Sequence, residues 1–171
     1  MDENAENGTY RNETIVVRAL RPEEWDDMTA LVWKTFLRYE ACDYPEEGIH
    51  NFLSFLSDER LKKMFCLGEY PVYAAFLGEK MVGVISLRTG SHISLLFVLG
   101  EYHRRGIGTL LMKCAKEHVR RQGCKNFLTV NAAPYAVDFY HKNGFSDTDV
   151  QQKKDGIIFT PMKCEFDRNV H

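Results

Sequence analysis

Residues Leu99–Arg121 read LGEYHRRGIGTLLMKCAKEHVRR, and this stretch decides the fold. It follows His92–Val98 (HISLLFV), which reads as a β-strand. A polar turn bearing glycines comes next. Ile107, Leu110, Leu111, Cys114, Ala115 and His118 then recur at helical spacing, with Lys113, Lys116, Glu117, Arg120 and Arg121 on the other faces. Gly123 suits the end of such a helix, and Asn126–Val130 reads as a further strand. Strand, helix and strand in this order imply a right-handed parallel crossover.

Upstream, Thr14–Leu20 (TIVVRAL) reads as a first strand, rich in β-branched residues. Pro22 stands at a first helical position, and Trp25, Met28, Val32, Phe36 and Tyr39 follow at helical spacing. Pro45, Glu46 and Glu47 open a second helix with Ile49, Phe52, Leu53 and Leu56 as its apolar face; Asp58–Phe65 reads as a third, short one. Val72–Leu77 and Met81–Leu87 are strands joined at Gly78-Glu79, and Thr89-Gly90-Ser91 turns into His92. Downstream, Pro134 starts a short helix that Gly144 ends. Ser146–Gln152 and Ile157–Phe166 are expected as final strands, with the turn at Lys154-Asp155-Gly156 and an edge or bulge at Pro161. The sum is an α/β fold: a mixed sheet of about seven strands with helices on both faces.

A length of 171 residues suits one domain, assigned to 14–171, behind an acidic, flexible leader at Met1–Glu13. The leader has neither the basic start nor the apolar block of a secretory signal. No apolar run approaches a membrane span. A net charge of −2 and a pI near 6.3 argue against nucleic acid as a partner. The five cysteines are widely spaced and lack a C-x-x-C pair, so reduced thiols in a cytoplasmic protein are expected, and no metal site.

A strand, a glycine turn and a helix can do particular chemistry. The first N–H groups of a helix have no partner within it, and the helix dipole adds partial positive charge. Gly106 and Gly108 would let a ligand reach that backbone, and Arg104 and Arg105 add formal charge. The dipole is worth roughly 0.3–1 kcal/mol at an exposed terminus, whereas each hydrogen bond to a charged group is worth about 1.5–3 kcal/mol. Contact hydrogen bonds would therefore dominate the binding of a diphosphate. Glycines at such a turn also serve simply to make a tight connection. A Walker loop is absent, and the dinucleotide fingerprint fails because Leu111 takes the place of its third glycine and Asn131 ends the next strand without an acid.

Val98–Met112 (VLGEYHRRGIGTLLM) resembles the signature of the GNAT superfamily of CoA-dependent N-acetyltransferases, in which Gln or Arg stands three residues before a glycine and a second small residue follows. Gly106 and Gly108 match; His103 replaces the usual Gln or Arg, and Leu99-Gly100 replaces a frequent Asp-Pro pair. Val130–Phe145 (VNAAPYAVDFYHKNGF) is similar to a second family segment, with Asn after a strand and a helix bearing Phe-Tyr that ends in Gly-Phe. The terminal GIIFTPMKCEF is also similar to many members, so the resemblance spans Thr14–Phe166.

The resemblance implies a bulged fourth strand that splays from the fifth, with the acyl-pantetheine arm of acetyl-CoA in the gap. Leu96, Phe97 and Val98 would offer backbone groups to the arm and thioester. The segment His103, Arg104, Arg105, Gly106, Ile107, Gly108 and Thr109 would hold the pyrophosphate, and Asn131 the pantetheine. Tyr140 would protonate the departing thiolate, a phenol near pKa 10 being protonated at neutral pH. An amine would attack the thioester directly, without metal or acyl-enzyme, while backbone N–H groups polarise its carbonyl.

Each assignment has a plainer counterpart. Tyr140 also reads as a core-edge aromatic, Asn131 as a local backbone partner. His92, at a position resembling that of a basic glutamate in histone-modifying relatives, is a base or a half-exposed strand residue. Glu40–Glu47 (EACDYPEE) carries four acids and no base. Glu46 and Glu47 simply suit a helix N-terminus; Glu40 and Asp43 would suit a cationic amine acceptor. Nothing beside Cys42 or Cys66 suggests an activated nucleophile. The expected activity is acetyl transfer from acetyl-CoA to an amine of a small molecule or peptide. Alternatives are a larger acyl-CoA, a non-catalytic CoA-binding regulatory domain, or a nucleotide-binding module. A homodimer is compatible with the resemblance.

Overall fold

The computed structural model describes residues 14–168; the leader expected at Met1–Glu13 lies outside them. β1 (Ile15–Ala19) leads through a single turn at Pro22–Glu24 into α1 (Trp25–Tyr39). The Glu24 carboxylate closes that turn. It accepts from the Arg21 amide at 2.8 Å and from both ends of the Arg18 guanidinium, at 2.6 and 3.0 Å. These contacts, the Arg18 bonds foremost, hold Glu24 down to about 2. α2 (Glu46–Leu56) and α3 (Glu59–Cys66) follow, and Asp58 caps α3 by accepting from the Arg60 amide.

β2 (Val72–Leu77), β3 (Lys80–Arg88) and β4 (His92–Val98) form an antiparallel meander. α4 (Ile107–Gln122) then crosses to β5 (Phe127–Ala132), which runs parallel to β4. α5 (Val137–Lys142), β6 (Ser146–Asp147), β7 (Gln152–Lys154) and β8 (Ile157–Glu165) complete the chain. The result is an eight-stranded sheet in the order β1-β2-β3-β4-β5-β8-β6, with β7 paired to the start of β8.

The strand expected over Ser146–Gln152 is two short strands, and the reason is Pro161. β8 runs through Pro161 without a register shift, opposite Asn131 of β5. The Pro161 carbonyl accepts from the Thr148 amide at 2.8 Å, so its nitrogen also faces β6, where it has no hydrogen to return. The ladder stops there. Asp149 then accepts from the Val150 amide and the Gln152 side chain, a local alternative to strand pairing.

Two cores fill the two faces of the sheet. One packs Met28, Val32 and Phe36 of α1 and Leu56 of α2 against Val84, Leu95 and Phe97. The other packs Ile107, Leu111, Met112, Ala115 and Val119 of α4 against Val82, Ile85, Leu128 and Val130. Burying each such side chain is worth about 1.5–3 kcal/mol. The buried stripe of α4 is therefore rotated from the expected one: Leu110 is 41% exposed, while Met112 and Val119 are buried.

A bulge in β4 positions the site. Ser86 lies opposite Leu95 and Leu87 opposite Ile93, so Ser94 is an extra residue. Ile93 accordingly belongs to the α4 core, whereas Leu95 and Phe97 belong to the α1 core and Leu96 and Val98 turn toward α4. Tyr70, only 1% exposed, pins the bulge by donating to Ser94 Oγ at 2.8 Å while lying 2.7 Å from Ser86 Oγ.

Candidate active site

β4 and β5 pair in parallel at His92–Thr129 and Ile93–Val130 and then separate. A cleft thus opens along Ser94–Val98, between the two halves of the sheet. Leu96, Phe97 and Val98 form its β4 wall, with Leu96 and Val98 half-buried and Phe97 buried beneath. On β5, Val130 and Ala132 enter the α4 core and Asn131 is exposed on the opposite side. Among the described residues no hydrogen bond occupies the Asn131 side chain, so the local backbone bond open to such an asparagine is not made.

The turn before α4 follows the unpaired end of β4. Arg104 (φ +62) and Gly106 (φ +76) are both left-handed, which bends the backbone sharply into the helix. Among the described residues, none of the amides from Arg104 to Thr109 donates to a carbonyl or side chain; the first helical bond is from the Leu110 amide to the Gly106 carbonyl. Arg104, Arg105 and Gly106 are exposed, and nothing lies within 4 Å of the place a Gly106 side chain would take. The concavity has the donors, the dipole and the charge that an anion requires.

Gly108 is different. A Cβ there would sit 2.9 Å from Cε2 of the Phe139 ring, so its missing side chain makes room for α5 rather than for a ligand. His103 also turns away from the anion site. Its Nε2–H donates to the Val98 carbonyl at 2.7 Å and ties the turn to the end of β4. The substitution at the first signature position thus serves the scaffold.

Tyr140 stands on α5 and packs into the α4 core. Its ring is 5% exposed, edge-on to Phe139 and Phe145. Among the described residues the hydroxyl has no hydrogen-bond partner, yet no sealed side-chain polar atom goes unpaired. The phenol oxygen therefore touches solvent. Burial raises its pKa well above the usual phenol range, and the charge of Glu40 adds to the rise.

His92 stands apart. It lies where β4 and β5 are still paired, with Nδ1 2.8 Å from Thr129 Oγ1. Burial, with the charge of Arg88, pushes its pKa down to about 4. It precedes Leu96 by about 13 Å of strand.

Two tyrosines to which the sequence assigns no site role stack beside the turn before α4. Tyr39, at the end of α1, stacks on Tyr135 at 5.7 Å and 20° and lies 4.9 Å from the His103 ring. Tyr135 belongs to the turn Pro134–Ala136, so the stack bridges the β4 and β5 sides of the cleft. Tyr39 had been counted only as a helical core position, and Tyr135 carried no signal beyond its neighbour Pro134. Among the described residues no group of histidine, cysteine and acidic side chains has the arrangement of a metal site, and no helix is long and apolar enough to cross a membrane.

The sheet divides between β4 and β5, with the turn before α4 following β4 and the helix that carries Tyr140 following β5. A model of the acetyltransferase (GNAT) domain matches residues 40–166, and the chain belongs to the GNAT acetyltransferases. The general reaction of that family moves an acetyl group from acetyl-CoA to an amine. The chain is 26% identical over 138 residues to the uncharacterized N-acetyltransferase YafP of Escherichia coli strain K12, covering 81% of this chain and 85% of that one. A GCN5-related N-acetyltransferase from Rhodopseudomonas palustris superposes with a TM-score of 0.76 at 26% identity, over 90% of this chain and 96% of the other. The PaiA N-acetyltransferase of Thermoplasma acidophilum, solved with coenzyme A, shares the fold with a TM-score of 0.74 at 22% identity, over 90% and 99% of the two chains.

Proposed function

We propose that the cleft between β4 and β5 binds acetyl-CoA and that an amine attacks its thioester directly. The observation that carries this reading is the early separation of the two strands, followed in the chain by the free amides of Arg104–Thr109 after β4 and, after β5, by a Tyr140 hydroxyl unpartnered among the described residues. Bound there, the co-substrate supplies an activated acetyl group. The amides from Arg104 to Thr109 hold its pyrophosphate, with Arg104 and Arg105 adding charge. Leu96, Phe97 and Val98 present their backbone to the arm, and Asn131 reaches it from β5. Backbone N–H groups of the bulged strand polarise the carbonyl.

Tyr140 gives its proton to the departing thiolate. A raised phenol pKa keeps that proton in place until the thiolate develops beside it. His92 takes a different part: it fastens the paired foot of β4 to β5 through Thr129 and so fixes where the strands begin to diverge. The five cysteines are free thiols, which accords with the cytoplasm as the working compartment.

The test is calorimetric titration with acetyl-CoA, followed by thiol release in the presence of an amine panel. Binding with amine-dependent release is expected. Failure to bind, or binding of ATP or NAD in preference, rejects the reading.

A further inference from the structure

β4 and β5 are joined at their foot by the pairs His92–Thr129 and Ile93–Val130, and no pair follows. A second joint lies beyond their far ends, and it is made of rings. His103 follows β4 in the chain, Tyr135 follows β5, and Tyr39 at the end of α1 lies against both. Ring centroids are 4.9 Å apart from Tyr39 to His103 and 5.7 Å apart from Tyr39 to Tyr135, the second pair inclined by 20°.

Each ring is held differently. The Leu99 amide donates to the Val82 carbonyl of β3 at 2.9 Å. In the same planar trans peptide the Val98 carbonyl points the opposite way, to the edge of β4 that β5 has left. The His103 Nε2–H donates to that carbonyl at 2.7 Å, so His103 marks the end of the free edge. Tyr39 is seated on Gly100. A Cβ there would collide with Tyr39 Oη and stand 2.8 Å from Tyr39 Cζ and 2.9 Å from Arg38 Nη1. One ring thus accounts for two departures from the family signature. Gly100 in place of Pro leaves room for the Tyr39 hydroxyl, and His103 in place of Gln or Arg gives Tyr39 a ring to pack on. Tyr135 is 52% exposed, so burial contributes little to holding it. Its stack on Tyr39 is what ties the β5 side to the β4 side.

We propose that His103, Tyr39 and Tyr135 form an aromatic clasp of positioning residues, which fixes how far β4 and β5 stand apart and so pre-sets the gap that the pantetheine arm enters. This rests on the acetyl-CoA reading above. Hydrogen bonds set the gap at one end and the clasp sets it at the other. A gap held from both ends spares the arm the cost of ordering its walls on binding. His103 uses one lone pair of the Val98 carbonyl, and the second stays open to the arm.

The experiment compares wild type with Tyr135→Leu and Tyr135→Phe, using acetyl-CoA and acetyl-pantetheine, which keeps the arm and lacks the diphosphate. Tyr135→Leu should raise the acetyl-CoA KM by about tenfold. Its kcat at saturation should fall by less than about threefold, and its Tm should move by only a few degrees. The kcat/KM for acetyl-pantetheine should drop by the same factor as that for acetyl-CoA. Tyr135→Phe, which keeps the ring, should stay within about twofold of wild type on both thioesters. Gly100→Ala displaces Tyr39 and should reproduce the KM effect from the other side of the stack. An unchanged KM in Tyr135→Leu, a fall in kcat alone, or an equal loss in Tyr135→Phe overturns the clasp and leaves the acetyl-CoA reading standing. A loss confined to acetyl-CoA, or a wild type that does not accept acetyl-pantetheine, assigns the rings to the pyrophosphate turn and overturns the clasp as well. A wild type that binds no acetyl-CoA rejects both.

Discussion

The ring of Phe139 fills the space that a side chain on Gly108 would need, with 2.9 Å between its Cε2 and the position of that missing Cβ. The first turn of α4 and the helix that carries Tyr140 are thereby in direct contact. The two glycines of the signature hence act differently. Gly106 supplies a left-handed φ over open space, and Gly108 supplies close packing.

The two substitutions to alanine should separate these roles. Gly108→Ala must push the Phe139 ring aside and with it the neighbouring Tyr140. A loss of about 1–3 kcal/mol in stability is expected, together with a fall in kcat. Gly106→Ala meets no atom but strains the backbone by about 1–2 kcal/mol, and should weaken acetyl-CoA binding more than it changes kcat at saturation. Thermal melts, calorimetry and steady-state rates on both variants check this.

Tyr140→Phe removes a hydroxyl that pairs with none of the described residues. Its Tm should move by only a degree or two, because the ring packing against Phe139 and Phe145 is kept. Thiol release should drop by about 100-fold at neutral pH if the phenol is the proton donor, while acetyl-CoA affinity holds. Full activity in this variant would remove Tyr140 from the chemistry.

His92 gives a pH signature in stability rather than in rate. Its folded pKa of about 4 lies below the ordinary 6.5. The unfolded chain therefore binds the extra proton as pH falls below about 6.5, and the folded state loses stability down to about 4. Above 6.5 that penalty is absent. His92→Gln keeps a partner for Thr129 and should flatten this part of the stability curve. The pH–rate profile should be nearly unchanged; a lost limb would restore His92 as the base.

Glu24 titrates with the opposite sign. Its pKa is held at about 2, below the ordinary 4.5. The Arg18 contact thus stabilises the fold fully above about 4.5 and loses its effect as pH drops through 2. The pair is partly open to solvent, so the gain is about 1 kcal/mol. Glu24→Gln should cost that amount at pH 7, and the two melting curves should converge toward pH 2.

Much of the architecture was legible in the chain. β2 and β4 occur at the expected residues, and α4 begins at Ile107 and is capped by Gly123 as its periodicity and glycine imply. The rotated stripe of α4 was not legible, because Leu110 and Met112 are equally apolar and their sides depend on the sheet beneath. The split of Ser146–Gln152 depended on which neighbour Pro161 faces, a matter of pairing across the sheet. Within the site, glycines, Tyr140 and Asn131 stood out in motifs. Tyr39 and Tyr135 did not, since stacking exists only between distant segments.

The sequence by itself determined the order of elements, the free amides before α4 and the family. These depend on local spacing, on glycine's tolerance of positive φ and on the unpaired start of a helix. Tertiary structure alone decided that β4 leaves β5 after Ile93, that Gly108 shelters a ring, and that Tyr39 stacks on Tyr135. Burial and electrostatics act through space, and residues a hundred positions apart in the chain acquire their chemistry only on being brought together.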